Sequence, residues 1–257
     1  MSVRYTALVL AGTRPGGDPL AGYAGVTHKA LIEVDGQPML ARVLAALAAT
    51  PQVARIVVAI DRAEILAGLA PVGVPVEAMP AAAGPSASVA LALEREGTPL
   101  LVTTADHALL QAEWVSEFLR LAADAPADAV VALARSEAVL AAAPGTQRTW
   151  LRFADGDYSG CNLFLLRTAD ALRIVQLWQS LEAARKRPMT LLRRLGFLQV
   201  LRYRLGLLSL PQALDRLGRI AGAGLRHAVL TDGRAAIDVD KPADLDLVRQ
   251  LVRRGAS

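Results

Sequence analysis

Four apolar runs of strand length, Tyr5–Ala11, Arg55–Ile60, Val74–Met79 and Leu100–Thr104, alternate with longer stretches whose apolar residues recur at helical spacing, near Pro38–Ala49, Ser86–Glu96 and Glu113–Ala123. Runs that stay apolar, rather than alternating with polar residues, belong to strands covered on both faces. Strands that alternate with helices are joined by crossovers, so the order predicts an α/β fold with a mostly parallel sheet and helices on both faces. In such a sheet the ligand crevice lies beyond the carboxyl ends of the strands.

The first strand runs out at that end into a glycine-rich loop. Gly12, Gly16 and Gly17 let the main chain turn and come close to a ligand, with N–H groups free to face phosphate oxygens. Arg14 and Lys29 add positive charge. The spacing is neither a Walker A loop, which needs Gly-Lys-Ser/Thr, nor the Gly-x-Gly-x-x-Gly dinucleotide fingerprint. Taken alone, the loop also fits a solvated surface turn.

Beyond Asp128 the pattern changes to a further strand at Ala129–Ala134, short extended segments at Trp150–Phe153 and Cys161–Leu166, and helix from about Thr168. Without repeats or a long linker, residues 1–257 read as a single domain, long enough to bury a sizeable core. No apolar stretch reaches the ~18 residues of a membrane span. The start has no secretory pattern, and one cysteine, Cys161, cannot form an internal disulfide. The expectation is a soluble, cytoplasmic protein, with Cys161 less favoured as a catalytic thiol. A net charge of +4 suits anionic partners without choosing among them.

Four segments in order, "LVLAGTRPGG", "HKALIEVDGQPML", "TTADHALL" and "AIDVDKPADLDLV", resemble the MobA-like nucleotidyltransferase superfamily over Tyr5 to about Ala134 and Asp232 to Leu251. The resemblance implies a Rossmann-like fold of the glycosyltransferase-A, nucleotide-diphospho-sugar transferase type. It also implies Mg²⁺-dependent transfer of NMP from an NTP to a small sugar, polyol or cofactor phosphate, with release of pyrophosphate. By that resemblance Lys29 contacts the phosphates, Arg14 assists it, and Asp106 holds the catalytic Mg²⁺. Asp240 is the second metal position, with Asp238 as the alternative. Leu10, Ala11, Gly12, Thr13, Gly16 and Gly17 would surround the nucleotide, with Gly84 and Ser88 against the base. The "SV" of Ser88 and Val89 resembles the cytidylyltransferases and slightly favours CTP. His107, Tyr158, Gly160 and Asn162 would lie on the acceptor side, together with Ser159. One departure stands out: the family's arginine usually lies further from the first glycine than Arg14 does from Gly12.

The chemistry suits these residue types. Acceptor phosphate and NTP are both anions, and Mg²⁺ held by one or two carboxylates offsets their repulsion. A phosphate with a second pKa of about 6 is already largely ionised at neutral pH and needs no histidine base. Local alternatives remain. Asp106 could cap a helix, and Ser86 or Ser88 could be an N-cap. His107 could be structural, and Asn162 could tie down a turn. Asp238 and Asp240 alternate along an extended segment, so only one should face a metal.

The stretch from Arg185 to Arg226 carries ten bases against Asp215 alone, with leucines at helical spacing. It predicts a basic insertion of amphipathic helices broken at Gly206 and Pro211. It could pack on the core, on a second copy in a homodimer, or on anionic lipid at the inner membrane surface. Nucleic acid is disfavoured, because the bases are not interleaved with stacking aromatics. A second function class stays open: a non-catalytic nucleotide-binding or membrane-associated regulatory protein on the same fold.

Overall fold

The computed structural model describes residues 3–13, 16–184, 194 and 196–255. The first half of the chain contains β1 (Tyr5–Leu10), α1 (Pro19–Tyr23), β2 (Glu33–Val34), β3 (Gln37–Pro38), α2 (Met39–Ala48), β4 (Val53–Ile60), α3 (Glu64–Ala67), β5 (Val76–Pro80), α4 (Pro85–Glu96), β6 (Leu100–Thr104) and α5 (Ala112–Ala123). The second half contains β7 (Ala129–Arg135), α6 (Ser136–Ala142), β8 (Leu151–Phe153), β9 (Gly156–Leu166), α7 (Ala171–Ala184), α8 (Phe197–Arg204), α9 (Leu210–Ala221), β10 (Leu225–Leu230) and α10 (Pro242–Gly255).

Eight strands form one sheet in the order β10-β7-β9-β6-β1-β4-β5, with β8 beside β9. The chain runs from β1 outward through β4 to β5, then returns to β6 on the other flank of β1. Strand order therefore reverses between β1 and β6, where Leu10 lies opposite Thr104, and the crevice opens above this pair.

Alternate residues of each central strand feed different layers. Ala7, Val9, Ile56 and Val58 pack under α2 and α5, while Leu8, Val57 and Ala59 pack under α4 and α7. Burying a large aliphatic side chain stabilises by about 1.5–3 kcal/mol. A strand covered on both faces collects that gain from every residue, which is why these runs are apolar throughout. The α/β architecture is as the sequence predicts, with element ends shifted by a few residues.

Three features differ from the sequence expectation. First, β9 lies antiparallel between β6 and β7, and it spans Gly156–Leu166 rather than beginning at Cys161. Its register against β7 slips between Val131 and Leu133, where Asn162 takes a φ of +47°. Second, Leu225 and Arg226, expected at the end of the helical insertion, open the edge strand β10 beside β7. Third, the stretch 197–221 breaks once, over 205–209 with Gly206 in the turn as expected, and Pro211 opens the next helix rather than making a second break. It stands in the first turn of α9, where Ser209 and Gln212 form a reciprocal capping box. Arg185, Lys186, Arg187 and Arg193 lie outside the described residues.

Asp128 fastens the far side of the sheet. Its carboxylate accepts from Thr168 Oγ1 and from the Gly224 N–H, each at 2.6 Å, joining the starts of β7, α7 and β10. These hydrogen bonds hold its pKa below the ordinary aspartate value. A depressed folded pKa means stability that is present above the unfolded pKa and lost as pH falls through the folded one. Asp128→Asn places an amide NH₂ against one of the two donors. It should cost about 1–2 kcal/mol at neutral pH, and the gap to wild type should narrow in acid below the ordinary aspartate pKa, as read by melting curves across pH.

Candidate active site

The carboxyl ends of β1, β4 and β6 and the turn after β5 wall a cleft of about 440 Å³. Its floor is main chain. Ala105 N–H donates to the Leu10 carbonyl and Ala11 N–H to the Ala59 carbonyl, both at 2.9 Å. Thr13 N–H donates to Asp61 Oδ1 at 3.0 Å. Leu10, Ala11, Gly12 and Thr13 line the cleft as expected, but the amides of Ala11 and Thr13 are already committed, so the open cradle is narrower than the glycine-rich sequence suggests. At Gly12 a Cβ would stand 2.8 Å from the Ala81 Cβ, so a side chain there would collide with the turn after β5. Gly16 and Gly17 do not line the cleft, and Arg14 lies outside the described residues.

Lys29 opens a 3₁₀ turn over Lys29–Leu31. The turn is fixed by His28, a buried ring whose Nδ1 accepts from the Ala30 N–H at 3.1 Å. With Nδ1 accepting, the ring proton sits on Nε2 and is donated to Asp61 Oδ1 at 3.1 Å. Burial alone would raise the Asp61 pKa, but hydrogen bonds from His28 and the Thr13 amide bring it below the usual range. One carboxylate thus joins the loop after β1 to the turn that presents Lys29.

The Lys29 ammonium donates to Asp106 Oδ2 at 2.7 Å and to Asp240 Oδ1 at 3.2 Å. Its partners lie 77 and 211 residues away in sequence. Burial alone would lower its pKa, but the charges of the two carboxylates outweigh that effect and raise it. Lys29 therefore stays charged at neutral pH and keeps two like charges from repelling each other. Asp106 follows the end of β6, and the Val239 N–H donates to the Asp106 carbonyl at 3.1 Å, fastening the Asp240 segment beside it. Asp244, in the first turn of α10, accepts from the Asp240 and Lys241 amides at 3.2 and 3.1 Å and holds that segment in place.

Asp238 faces the other way. Its carboxylate meets Arg148 Nη2 at 2.5 Å and accepts from Asn162 Nδ2 at 2.6 Å. Asp238 and Asp240 thus divide as their alternation requires, and Asp240 is the one that meets Lys29.

At the other end of the cleft, Gly84 precedes α4 and Ser88 lies within it. Neither Ser86 nor Ser88 is an N-cap, since Gly84 holds that position. Ser88 Oγ accepts from the Ala82 N–H at 2.9 Å and shapes the turn. Ser86 Oγ donates to Glu182 Oε2 at 2.5 Å, which puts a carboxylate from α7 on the cleft wall.

None of His107, Tyr158, Gly160 and Asn162 lines the cleft. His107 is turned inward, 1% exposed and stacked on Trp114, and burial pushes its pKa down to about 4, so it is neutral. Tyr158 is buried in the layer beneath the opposite sheet face, with the Arg135 guanidinium over its ring. Asn162 holds Asp238. Cys161 is buried, and burial pushes its thiol pKa up, which removes it as a nucleophile.

Among the ionisable side chains that line the cleft, Asp18, His28 and Glu182 carry no sequence expectation, and neither does Asp61, which joins the site through His28 and the Thr13 amide. Asp61 follows a strand at its carboxyl end and could have been marked by that position. Glu182 carries no local signal, because only the packing of α7 on α4 brings it there.

Among the described residues no group of three or more His, Cys, Asp or Glu side chains could enclose a metal. Asp106 and Asp240 nevertheless suit a hard cation that completes its shell with water and substrate oxygens. Asp106 Oδ1 is buried without a hydrogen-bond partner, as an oxygen awaiting such a cation would be.

The family described as MobA-like NTP transferase domain matches residues 7–196. A hypothetical transferase from Thermus thermophilus is 33% identical, with 95% of this chain and 100% of that one covered and a TM-score of 0.78. CMP:2-keto-3-deoxy-manno-octonic acid synthetase complexed with CTP shares the fold at 15% identity, with 99% and 100% covered and a TM-score of 0.59. So does 2-C-methyl-D-erythritol 4-phosphate cytidylyltransferase from Thermus thermophilus, at 18% identity, 98% and 100% coverage and a TM-score of 0.53. No curated protein matches the sequence.

Proposed function

The chain belongs to the MobA-like NTP transferase family, and on that premise we propose that it transfers a nucleoside monophosphate from an NTP, CTP foremost, to a small sugar, polyol or cofactor phosphate. A phosphate oxygen of the acceptor attacks the α-phosphorus, and the bond to pyrophosphate breaks. The observation that carries this reading is Lys29 bridging Asp106 and Asp240 at the β1/β6 reversal.

Asp106 and Asp240 would hold Mg²⁺, which when bound offsets the charge of the two anionic reactants. Lys29 supplies a fixed positive charge to the phosphates. Asp61 and His28 position Lys29 and the loop after β1. The Gly12–Ala81 approach keeps the cleft narrow enough for backbone to meet the nucleotide.

The base end is supported by Ser88, Gly84 and, beyond the sequence expectation, Glu182. A carboxylate there accepts a hydrogen from an exocyclic amino group, which cytosine has and uracil lacks. The same choice is supported by two solved structures of this fold, one complexed with CTP and the other named a cytidylyltransferase.

The test is pyrophosphate release on mixing the protein with each NTP and a panel of phosphorylated sugars and polyols. CTP should be preferred to UTP by tenfold or more, and Glu182→Gln, which can donate to a uracil carbonyl, should reduce that ratio roughly tenfold. Nucleotide binding with no turnover for any pair would instead favour the non-catalytic reading. A CTP:UTP ratio unchanged in the variant would remove Glu182 from base selection.

A further inference from the structure

Surface helices normally turn their apolar side inward, and α8 does the reverse. Phe197, Leu198, Leu201 and Leu205 are 67, 63, 40 and 61% exposed, and Leu207 after them is 59% exposed. At about 100° per residue the first four fall within about 100° of arc on one face. On the same count Arg204 and Arg202 stand at the two edges of that arc.

The opposite face attaches the helix to the body. The Tyr203 ring meets Phe153 edge-on at 5.3 Å, and its hydroxyl accepts from the Arg152 N–H at 3.3 Å. Arg202 Nη2 donates to the Leu207 carbonyl at 3.3 Å and to Gln212 Oε1 at 3.1 Å, so the turn after α8 is held as well. The exposed apolar face is thus presented on a fixed support.

Charge selects what covers it. Over the described residues from Arg194 to Leu207 the bases are Arg194, Arg202 and Arg204, with no acid among them. Among the described residues no carboxylate pairs with Arg194, Arg202 or Arg204. A two-fold contact with a second copy would press two patches of the same positive sign together. A bilayer carrying anionic headgroups takes apolar side chains at the acyl boundary and guanidinium groups at the phosphates. We propose that the outward face of α8, with Leu205 and Leu207, docks the protein reversibly on an anionic membrane surface. The contact is peripheral: among the described residues no helix is long and apolar enough to cross a membrane.

Flotation of the full chain with vesicles tests this. Binding should be at least tenfold stronger to phosphatidylcholine vesicles containing about one third phosphatidylglycerol than to phosphatidylcholine alone, and should weaken as salt is raised. Leu198→Glu with Leu201→Glu should abolish binding while leaving the circular dichroism spectrum and nucleotide binding unchanged, because both side chains already face water. Wild type that stays unbound with the anionic vesicles overturns the proposal, as does a double variant that floats like wild type. A lipid-free dimer that the double variant converts to monomer would make the face an interface between copies, and would equally overturn it.

Discussion

Asp106→Asn should lower pyrophosphate release by roughly a thousandfold while leaving the fold intact. Asparagine keeps the shape and can still accept from Lys29, which now donates to Asp106 Oδ2 at 2.7 Å, so the 3₁₀ turn and β6 should not move. What is lost is one of the two negative charges that meet at the Lys29 ammonium. With it goes the buried, unpartnered Oδ1 oxygen that suits a hard cation. Nucleotide should still bind through the main chain of β1 and the turn after β5, but Mg²⁺ should no longer strengthen that binding. Thermal shift with CTP, with and without Mg²⁺, reads the second effect, and steady-state pyrophosphate release reads the first. A variant that retains both metal-dependent stabilisation and turnover would show that Asp106 is no part of the reaction.

The second large effect is on stability, and it comes from a glycine outside the cleft. Gly233→Ala should cost about 3 kcal/mol or more, lowering the melting temperature by roughly 6–12 °C. A Cβ at this position would lie 2.2 Å from the Ala138 carbonyl carbon and oxygen and 2.3 Å from the Val139 nitrogen. These are main-chain atoms of α6, and no side-chain rotation relieves the clash. Residues 233–236 form the short turn that delivers the chain to Asp238 and Asp240, so the displacement should also lower turnover. Gly160→Ala is the control, because a Cβ there meets nothing within 4 Å. Equal melting temperatures for the two variants would show that the α6 contact can yield.

Much of the core architecture is legible in the sequence. Leu100–Thr104 is a strand with the bounds its apolar run predicts, and β1 ends one residue short of the predicted position. Lys29, Asp106 and Asp240 could be named together because each stands at a strand end or turn within a recognisable segment. The acceptor-side residues could not. Tyr158, Gly160 and Asn162 follow a polar turn that looks like a loop at the mouth of a site, whereas that stretch is sheet, with Tyr158 beneath one face and Asn162 held on Asp238.

By itself the sequence determined the alternation of strand and helix and the glycine-rich turn at the end of β1, because periodicity and turn chemistry act over a few residues, while Lys29, Asp106 and Asp240 are marked only by the resemblance of their segments to a known family. The tertiary structure alone decided that β9 runs against its neighbours, that Asp240 rather than Asp238 meets Lys29, that α7 brings Glu182 to the cleft and that α8 turns its leucines outward. Those outcomes depend on which distant surfaces cover one another. Partners that lie 77 or 211 residues apart leave no local pattern by which either could be recognised from the other.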